Sequence, residues 1–160
     1  NSMSKQRINP TIKIFGGESD AFFSCDLRYP YVATTYRASE HWQTGCMTRH
    51  CSWLLEMQPQ NFVEMSVELA KELGIKNGEK VVVVSGRGEV EAVAMISERF
   101  KPFKVADSTV HQIGLTWHFG WQFPEDGSGF DSANLLTPNV GDANTMIPES
   151  KAFMVNVRKA

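Results

Sequence analysis

The sequence lacks long apolar runs, an excess of either charge and a useful number of cysteines, and each shortage removes a class of protein. Apolar stretches such as Val81 to Val84 are strand-sized, far short of the ~20 residues that cross a bilayer as a helix. No apolar stretch follows a basic start, so no signal peptide is read at the amino terminus. The formal net charge of −2 gives no global basic field, which argues against nucleic acid or an anionic membrane as partner. Three cysteines, Cys25, Cys46 and Cys51, are an odd number and argue against a full disulfide framework. His50 adjoins Cys51, but no second cysteine pair or histidine pair completes a zinc pattern, so the thiols read as small, partly buried side chains. There is no internal repeat and no low-complexity linker.

What is present is ordinary for a globular domain. The chain has 160 residues, 42% hydrophobic and 21% charged, which indicates one domain able to bury roughly two thirds of its unfolded surface. Residues 1–30, with Gly16-Gly17, Asp20 and Pro30, read as an extended amino-terminal arm, or as a vector-derived start given Asn1-Ser2-Met3. Residues 31–160 read as the folded domain. Tyr31 to Tyr36 is rich in aromatic and β-branched residues and predicts a strand. Asn61 with Glu64 has capping-box spacing, and Phe62, Met65, Leu69 and Leu73 recur every three or four residues. Together they predict a helix over 62–73 closed by Gly74 in a left-handed cap. Asn77-Gly78 signals a tight turn. Lys80 to Ser85 and Glu89 to Ile96 predict two strands joined by Gly86-Arg87-Gly88. Val90, Ala92, Ala94 and Ile96 alternate with Glu89, Glu91 and Val93 in the second. Thr109 to Leu115 and Phe153 to Val157 are further strand candidates. Many short strands with few helices suggest a closed or nearly closed β-barrel. The aromatic, glycine-rich stretch 116–146 is long for a compact domain, which points to function, to packing on a partner, or to a satellite core.

The chemistry concentrates in Thr34-Thr35-Tyr36-Arg37-Ala38-Ser39-Glu40-His41-Trp42-Gln43-Thr44-Gly45-Cys46-Met47-Thr48-Arg49. So many hydrogen-bonding side chains cannot all be buried without partners. A polar, planar, anionic ligand would supply them. Arg37 suits a phosphate in fork geometry, His41 and Gln43 a heterocycle edge, and Trp42 a stacking face, while Gly45 permits close backbone approach. A polar turn around one buried tryptophan is the plain alternative.

This segment resembles the Thr-x-Arg…Glu-His-Trp-x-Thr-Gly-x-Met-Thr-Arg stretch in the last domain of molybdopterin enzymes of the dimethyl sulfoxide reductase superfamily. Further along, Trp53-Leu54-Leu55-Glu56, Gly74-Ile75-Lys76-Asn77-Gly78, Trp117-His118-Phe119-Gly120-Trp121, Ser132 to Thr137 and Pro148 to Val155 narrow the likeness to formate dehydrogenase catalytic subunits. The resemblance covers about residues 30–160.

It implies a mainly β fold with short helices, a double-psi β-barrel of the aspartate decarboxylase-like kind. It implies a domain that helps hold a bis-molybdopterin guanine dinucleotide carrying molybdenum or tungsten, in an enzyme that oxidises formate to carbon dioxide. The cofactor-contacting positions that carry over are Thr35, Tyr36, Arg37, Glu40, His41, Trp42, Gln43, Thr44, Phe119, Asn134 and Lys151. Tyr36 stands where many relatives have glycine, and Lys151 beside a strand would otherwise be an ordinary solvated lysine. No catalytic residue, metal ligand or Cys-x2-Cys-x3-Cys run is present. The metal ligand and the 4Fe-4S cluster are therefore expected in other domains, and the chain alone is expected to be inactive. The implied partners are the remaining domains of the catalytic subunit and an iron–sulfur electron-transfer subunit, with formate as the substrate. The implied setting is a periplasmic, membrane-associated complex of anaerobic respiration, with the cytoplasm as the alternative. Rival readings are a nitrate reductase-like relative, a stand-alone nucleotide-binding module, and a small hydrolase using His41 or Cys51. For the hydrolase no Ser-His-Asp or Cys-His arrangement can be picked out. Glu125, Asp126 and Asp131 read as a solvated loop, and His111 and His118 as core or loop residues.

Overall fold

The computed structural model describes residues 26–122, 129–130, 132–138, 145, 147–148 and 150–160. The expectations for the 1–25 part of the arm, for Cys25 and for Glu125, Asp126 and Asp131 lie outside the described residues.

Six strands close into one barrel in the order β1, β10, β3, β4, β2, β7 and back to β1. They are β1 (Tyr31–Tyr36), β2 (Phe62–Ser66), β3 (Lys80–Ser85), β4 (Glu89–Ser97), β7 (Gln112–Thr116) and β10 (Phe153–Lys159). β1 runs parallel to β7, and β2 parallel to β4, while the other four pairings are antiparallel. Two parallel pairs within a closed six-stranded barrel are consistent with the double-psi architecture. Outside it lie the hairpin of β5 (Phe103–Val105) and β6 (Ser108–Val110), and the short pair β8 (Trp121–Gln122) and β9 (Gly129–Phe130). Two helices, α1 (Ser52–Met57) and α2 (Val67–Leu73), and two 3-10 turns, Thr48–His50 and Ala133–Leu135, complete the described elements.

The alternation read in the sequence is what fills the barrel. Val90, Ala92 and Ala94 of β4 face inward with Val81 and Val83 of β3, and Phe153, Val155 and Val157 of β10. Ala33, Val63, Met65, Ile113 and Leu115 complete the core from β1, β2 and β7. Each is almost fully removed from water, so each contributes roughly 25 cal/mol per Å² of apolar area buried. Gly114 of β7 is required by contact. A Cβ there would stand 2.4 Å from the Tyr36 ring and 2.7 Å from that of Phe100, so both aromatics lie over the bare backbone.

The helix expected over 62–73 is corrected to two elements. Phe62–Ser66 is the strand β2, paired with β4 and β7, and only Val67–Leu73 is helical. The cap is Ser66, whose hydroxyl accepts from the Leu69 N–H at 3.0 Å, and not Asn61. Asn61 is buried and accepts instead from the Thr116 hydroxyl at 2.8 Å. Gly74 takes the expected left-handed cap, φ 65°. The strand expected over 109–115 is broken at His111, whose carbonyl accepts from the Val32 N–H at 3.0 Å. β6 before it pairs with β5, and β7 after it joins the barrel.

Glu64, the residue of the apparent capping box, is a carboxylate 1% exposed on β2. It accepts from the Tyr36 phenol at 2.6 Å, from the Ser97 hydroxyl at 2.5 Å, and from both Nε and Nη2 of Arg99. Burial by itself raises the Glu64 pKa, but the bonds from Arg99, Ser97 and Tyr36 outweigh it and hold the group below its ordinary value. The Tyr36 phenol is pushed up, first by burial and then by Glu64. Arg99 lies over the Tyr36 ring, 5.2 Å from its centroid, so the side of β1 opposite the core is gripped as well.

A carboxylate with a depressed folded pKa stabilises most above its unfolded pKa, and that contribution is lost as pH falls through the folded value. Glu64→Gln is therefore expected to lower stability by about 1–3 kcal/mol at neutral pH. The gap to wild type should close as the solution is taken below about pH 4. Urea unfolding along a pH series reads this, and a gap that does not change with pH would contradict it.

Candidate functional site

β1 delivers Thr35, Tyr36 and Arg37 to one end of the barrel, and the 3-10 turn at Ala133–Leu135 and the start of β10 approach the same end. Thr35, Tyr36, Arg37, Trp117 and Asn134 line a cleft of about 660 Å³ with Ser150 and Lys151. These residues come from four separate stretches of chain, brought together because β1 pairs with both β7 and β10.

The walls of this cleft are cross-braced. The Thr35 hydroxyl donates to the Ser150 carbonyl at 3.0 Å, and the Lys151 ammonium donates to the Thr35 carbonyl at 2.5 Å and to its hydroxyl at 3.2 Å. Lys151 is thus not the freely solvated lysine that its sequence context suggests, since its charge is directed at the end of β1. Arg37 lies over the Trp117 ring at 5.5 Å from the centroid, which steadies the guanidinium while leaving its hydrogen-bonding edge usable. Asn134 is an exposed residue of its turn, held by the backbone bond of its own N–H to the Ser132 hydroxyl at 3.2 Å. Two cations, hydroxyls, a carboxamide and an indole around one cleft suit a ligand with anionic phosphate and a flat heterocycle.

The other expected site residues are placed differently. Glu40 lines a second cleft of about 460 Å³ on the far side of Tyr36 and Arg37, where Glu64, Ser97 and Arg99 also lie. His41 is buried with both ring nitrogens engaged inside the chain. Nε2–H donates to the Gln58 carbonyl at 2.7 Å, so Nδ1 accepts from the Thr48 hydroxyl at 3.1 Å. Phe119, 4% exposed, meets the edge of the His41 ring at 5.5 Å between centroids and stands behind the loop. Trp42, Gln43 and Thr44 are exposed on the loop outside the first cleft, and Trp42 presents 60% of its surface. The structure therefore brings together Thr35, Tyr36, Arg37, Asn134 and Lys151 at one cleft, and packs His41 and Phe119 against each other behind the loop that follows β1.

Trp117 and Ser150 line the cleft without having been singled out from the sequence. Their signal was present in the Trp117-His118-Phe119 and Pro148-Glu149-Ser150-Lys151 stretches, but nothing in the spacing says that two stretches so far apart meet at β1.

The loop after β1 is tightly shaped. Gln43 has φ 54° and Gly45 φ 82°. The first is a left-handed conformation that costs a non-glycine residue of order 1 kcal/mol. At Gly45 a Cβ would fall 2.2 Å from the His118 carbonyl oxygen and 2.9 Å from the Arg49 Nε. Cys46 and Cys51, read from the sequence as partly buried, are both exposed, and Cys46 Sγ accepts from the Thr44 hydroxyl at 3.2 Å. No group of three or more His, Cys, Asp or Glu among the described residues is placed to hold a metal ion.

Comparison with known proteins gives the same direction. A family model described as the Molydopterin dinucleotide binding domain matches residues 31–154. The formate dehydrogenase subunit alpha of Megalodesulfovibrio gigas is 56% identical over 157 residues, which are 98% of this chain and 15% of that protein. The formate dehydrogenase 2 subunit alpha (cytochrome c-553) of Nitratidesulfovibrio vulgaris is 49% identical over 158 residues, again 98% and 15%. The F420-dependent formate dehydrogenase subunit alpha of Methanocaldococcus jannaschii is 35% identical over 134 residues, covering 84% and 17%. The chain thus spans about 15% of the length of the first two of these relatives. Among solved structures, acetylene hydratase from Pelobacter acetylenicus superposes with a TM-score of 0.63 at 16% identity, over 82% of this chain and 18% of that one, which supports the fold.

Gly45→Ala is expected to destabilise the chain by about 1–3 kcal/mol, since the added methyl must displace the His118 backbone at a positive φ. Thermal unfolding measures this, and a change within about 0.5 kcal/mol would mean the loop is not packed on His118 as described.

Proposed function

The chain belongs to the Molydopterin dinucleotide binding domain family, and from that premise we propose that it serves as the cofactor-capping domain of a formate dehydrogenase catalytic subunit. The observation that carries this reading is the meeting of Thr35, Arg37, Asn134 and Lys151 at one cleft. The proposed domain spans residues 31–160, within which the family model matches 31–154.

The donor set fits a pterin guanine dinucleotide. Arg37 would fork onto phosphate oxygens, and Lys151, fixed at Thr35, would add a second cation. Asn134 would donate to and accept from a heterocycle edge, with the Thr35 hydroxyl nearby. Tyr36 is held by Glu64 and Arg99, so it would keep β1 in register beside the ligand. Glu40, Trp42, Gln43 and Thr44 would close over the dinucleotide from the loop, and His41 and Phe119 would hold that loop from below. When bound, a bis-molybdopterin guanine dinucleotide with molybdenum or tungsten supplies the metal that takes two electrons from formate. This chain's own work is to bind, to orient and to screen from water.

The metal ligand and the 4Fe-4S cluster are assigned to other domains of the catalytic subunit, and an iron–sulfur subunit to the electron transfer that follows. Exposed Met47, Trp53 and Met57, at 66%, 79% and 67%, lie along the turn and helix α1 and support a domain that packs against others. None of the described helices is long and apolar enough to cross a membrane. A periplasmic, membrane-associated complex is the proposed setting, and a cytoplasmic enzyme the alternative.

In the enzyme that carries this domain, Arg37→Ala is expected to lower the pterin content of the purified protein, by roughly tenfold or more if one charge-assisted bond of about 1.5–3 kcal/mol is lost. Pterin released on denaturation and read by fluorescence measures it, and full pterin occupancy would overturn the assignment.

A further inference from the structure

His118 belongs to the Trp117–Trp121 segment, and the cofactor reading gives it nothing to do. Yet it is completely buried, and both of its ring nitrogens are engaged with one loop. Nε2 faces the Ala38 backbone N–H at 2.8 Å, and Nδ1 faces the Gln43 carbonyl at 2.5 Å. A backbone N–H can only donate and a carbonyl can only accept, so the ring is neutral with its proton on Nδ1. The imidazole thus spans the two ends of the 38–43 loop, which has no strand partner to satisfy it. It also satisfies the carbonyl of Gln43, the residue held at positive φ. Its neighbour Trp117 lies 5.5 Å away between ring centroids and carries the Arg37 guanidinium on its face.

We infer that His118 is a positioning residue for the cofactor cleft: its ring, in the Nδ1–H tautomer, pins both ends of the 38–43 loop and fixes the direction in which Arg37 leaves β1. This rests on the cofactor-binding reading of the cleft. The residue touches no ligand in this role and acts through the loop.

The arrangement carries a pH signature. Burial pushes the His118 pKa down first of all. The bond to Gln43 raises it, His41 and Arg37 lower it further, Glu40 raises it, and the net direction is below the ordinary 6.5. Those three are the charged or titratable groups of the loop that face the ring, and Arg49 stands next to it over Phe119. A protonated ring has an N–H on both sides and cannot accept from Ala38. The clamp is therefore complete above the unfolded histidine pKa and is lost as pH falls through the lower folded value.

The test uses His118→Phe, which fills the space without either bond, and His118→Gln, whose carboxamide keeps one acceptor and one donor and does not titrate. Arg37→Ala is the benchmark. Pterin per protein is measured in the enzyme that carries this domain, at a neutral starting pH and along a series of falling pH. The expected results are a roughly fivefold fall for His118→Phe at neutral pH, the worth of about 1 kcal/mol, and pterin retained by His118→Gln along the series. Wild type should lose pterin only as the pH falls through the depressed folded value of His118, a step that His118→Gln should lack. Full pterin in His118→Phe while Arg37→Ala loses it would overturn the positioning role and leave the cleft assignment standing. Equal losses in the two His118 variants would also overturn it, and full pterin in all three variants would overturn the cleft assignment together with this role. Should His118→Phe fail to fold, imidazole nitrogen shifts of the unaltered chain decide. A proton on Nδ1 with a titration below free histidine supports the clamp, and a proton on Nε2 or an ordinary titration overturns it.

Discussion

β1 is held along both edges, by β7 in parallel and by β10 in antiparallel register, and the rest of the molecule depends on that double hold. A strand in the closed barrel has no free edge, so its end cannot slide or fray without breaking two ladders. Thr35 and Arg37 are fixed in space by it, and so is the point from which the polar loop departs. The Lys151 ammonium on Thr35 ties the entry to β10 to the same spot. Stretches more than a hundred residues apart in sequence therefore share a cleft without any covalent staple.

Around this point the buried polar groups are satisfied in ways that leave little choice of conformation. Glu64 is saturated by Tyr36, Ser97 and Arg99, Asn61 is tied to Thr116, and His41 is fixed between Thr48 and Gln58. Each such group would cost more unpaired than it returns paired. Their value lies in setting one geometry, beside the stability that ionised Glu64 adds at neutral pH. The apolar barrel interior supplies most of the stability, and the polar cluster at its end supplies an organised cleft. Such ordering reduces the entropy that binding must overcome.

The sequence made the barrel strands legible where one face is wet. Glu89, Glu91 and the valine and alanine positions between them mark β4, and the stretches 31–36 and 153–157 read correctly as strands, the second running on to Lys159. It misled at β2, because Asn61 and Glu64 imitate a capping box and Phe62, Met65, Leu69 and Leu73 happen to keep helical spacing across a strand and a helix. Tertiary pairing decided there: Glu64 is a buried carboxylate with four donors, which no local rule anticipates. For the cleft, Arg37 and its neighbours were legible through the resemblance. The roles of Trp117 and Ser150 were not, since they depend on which strands the barrel sets side by side. His118 left one clue, a histidine amid aromatic and aliphatic residues, which must find partners if it is buried.

The position of the dinucleotide phosphates in an experimental structure of the cofactor-loaded enzyme tests the central claim most directly. The account predicts phosphate oxygens within hydrogen-bonding distance, about 2.7–3.2 Å, of Arg37 or Lys151, with a heterocycle against Asn134. A dinucleotide seated elsewhere, with Thr35, Arg37, Asn134 and Lys151 facing only water or protein, would contradict it.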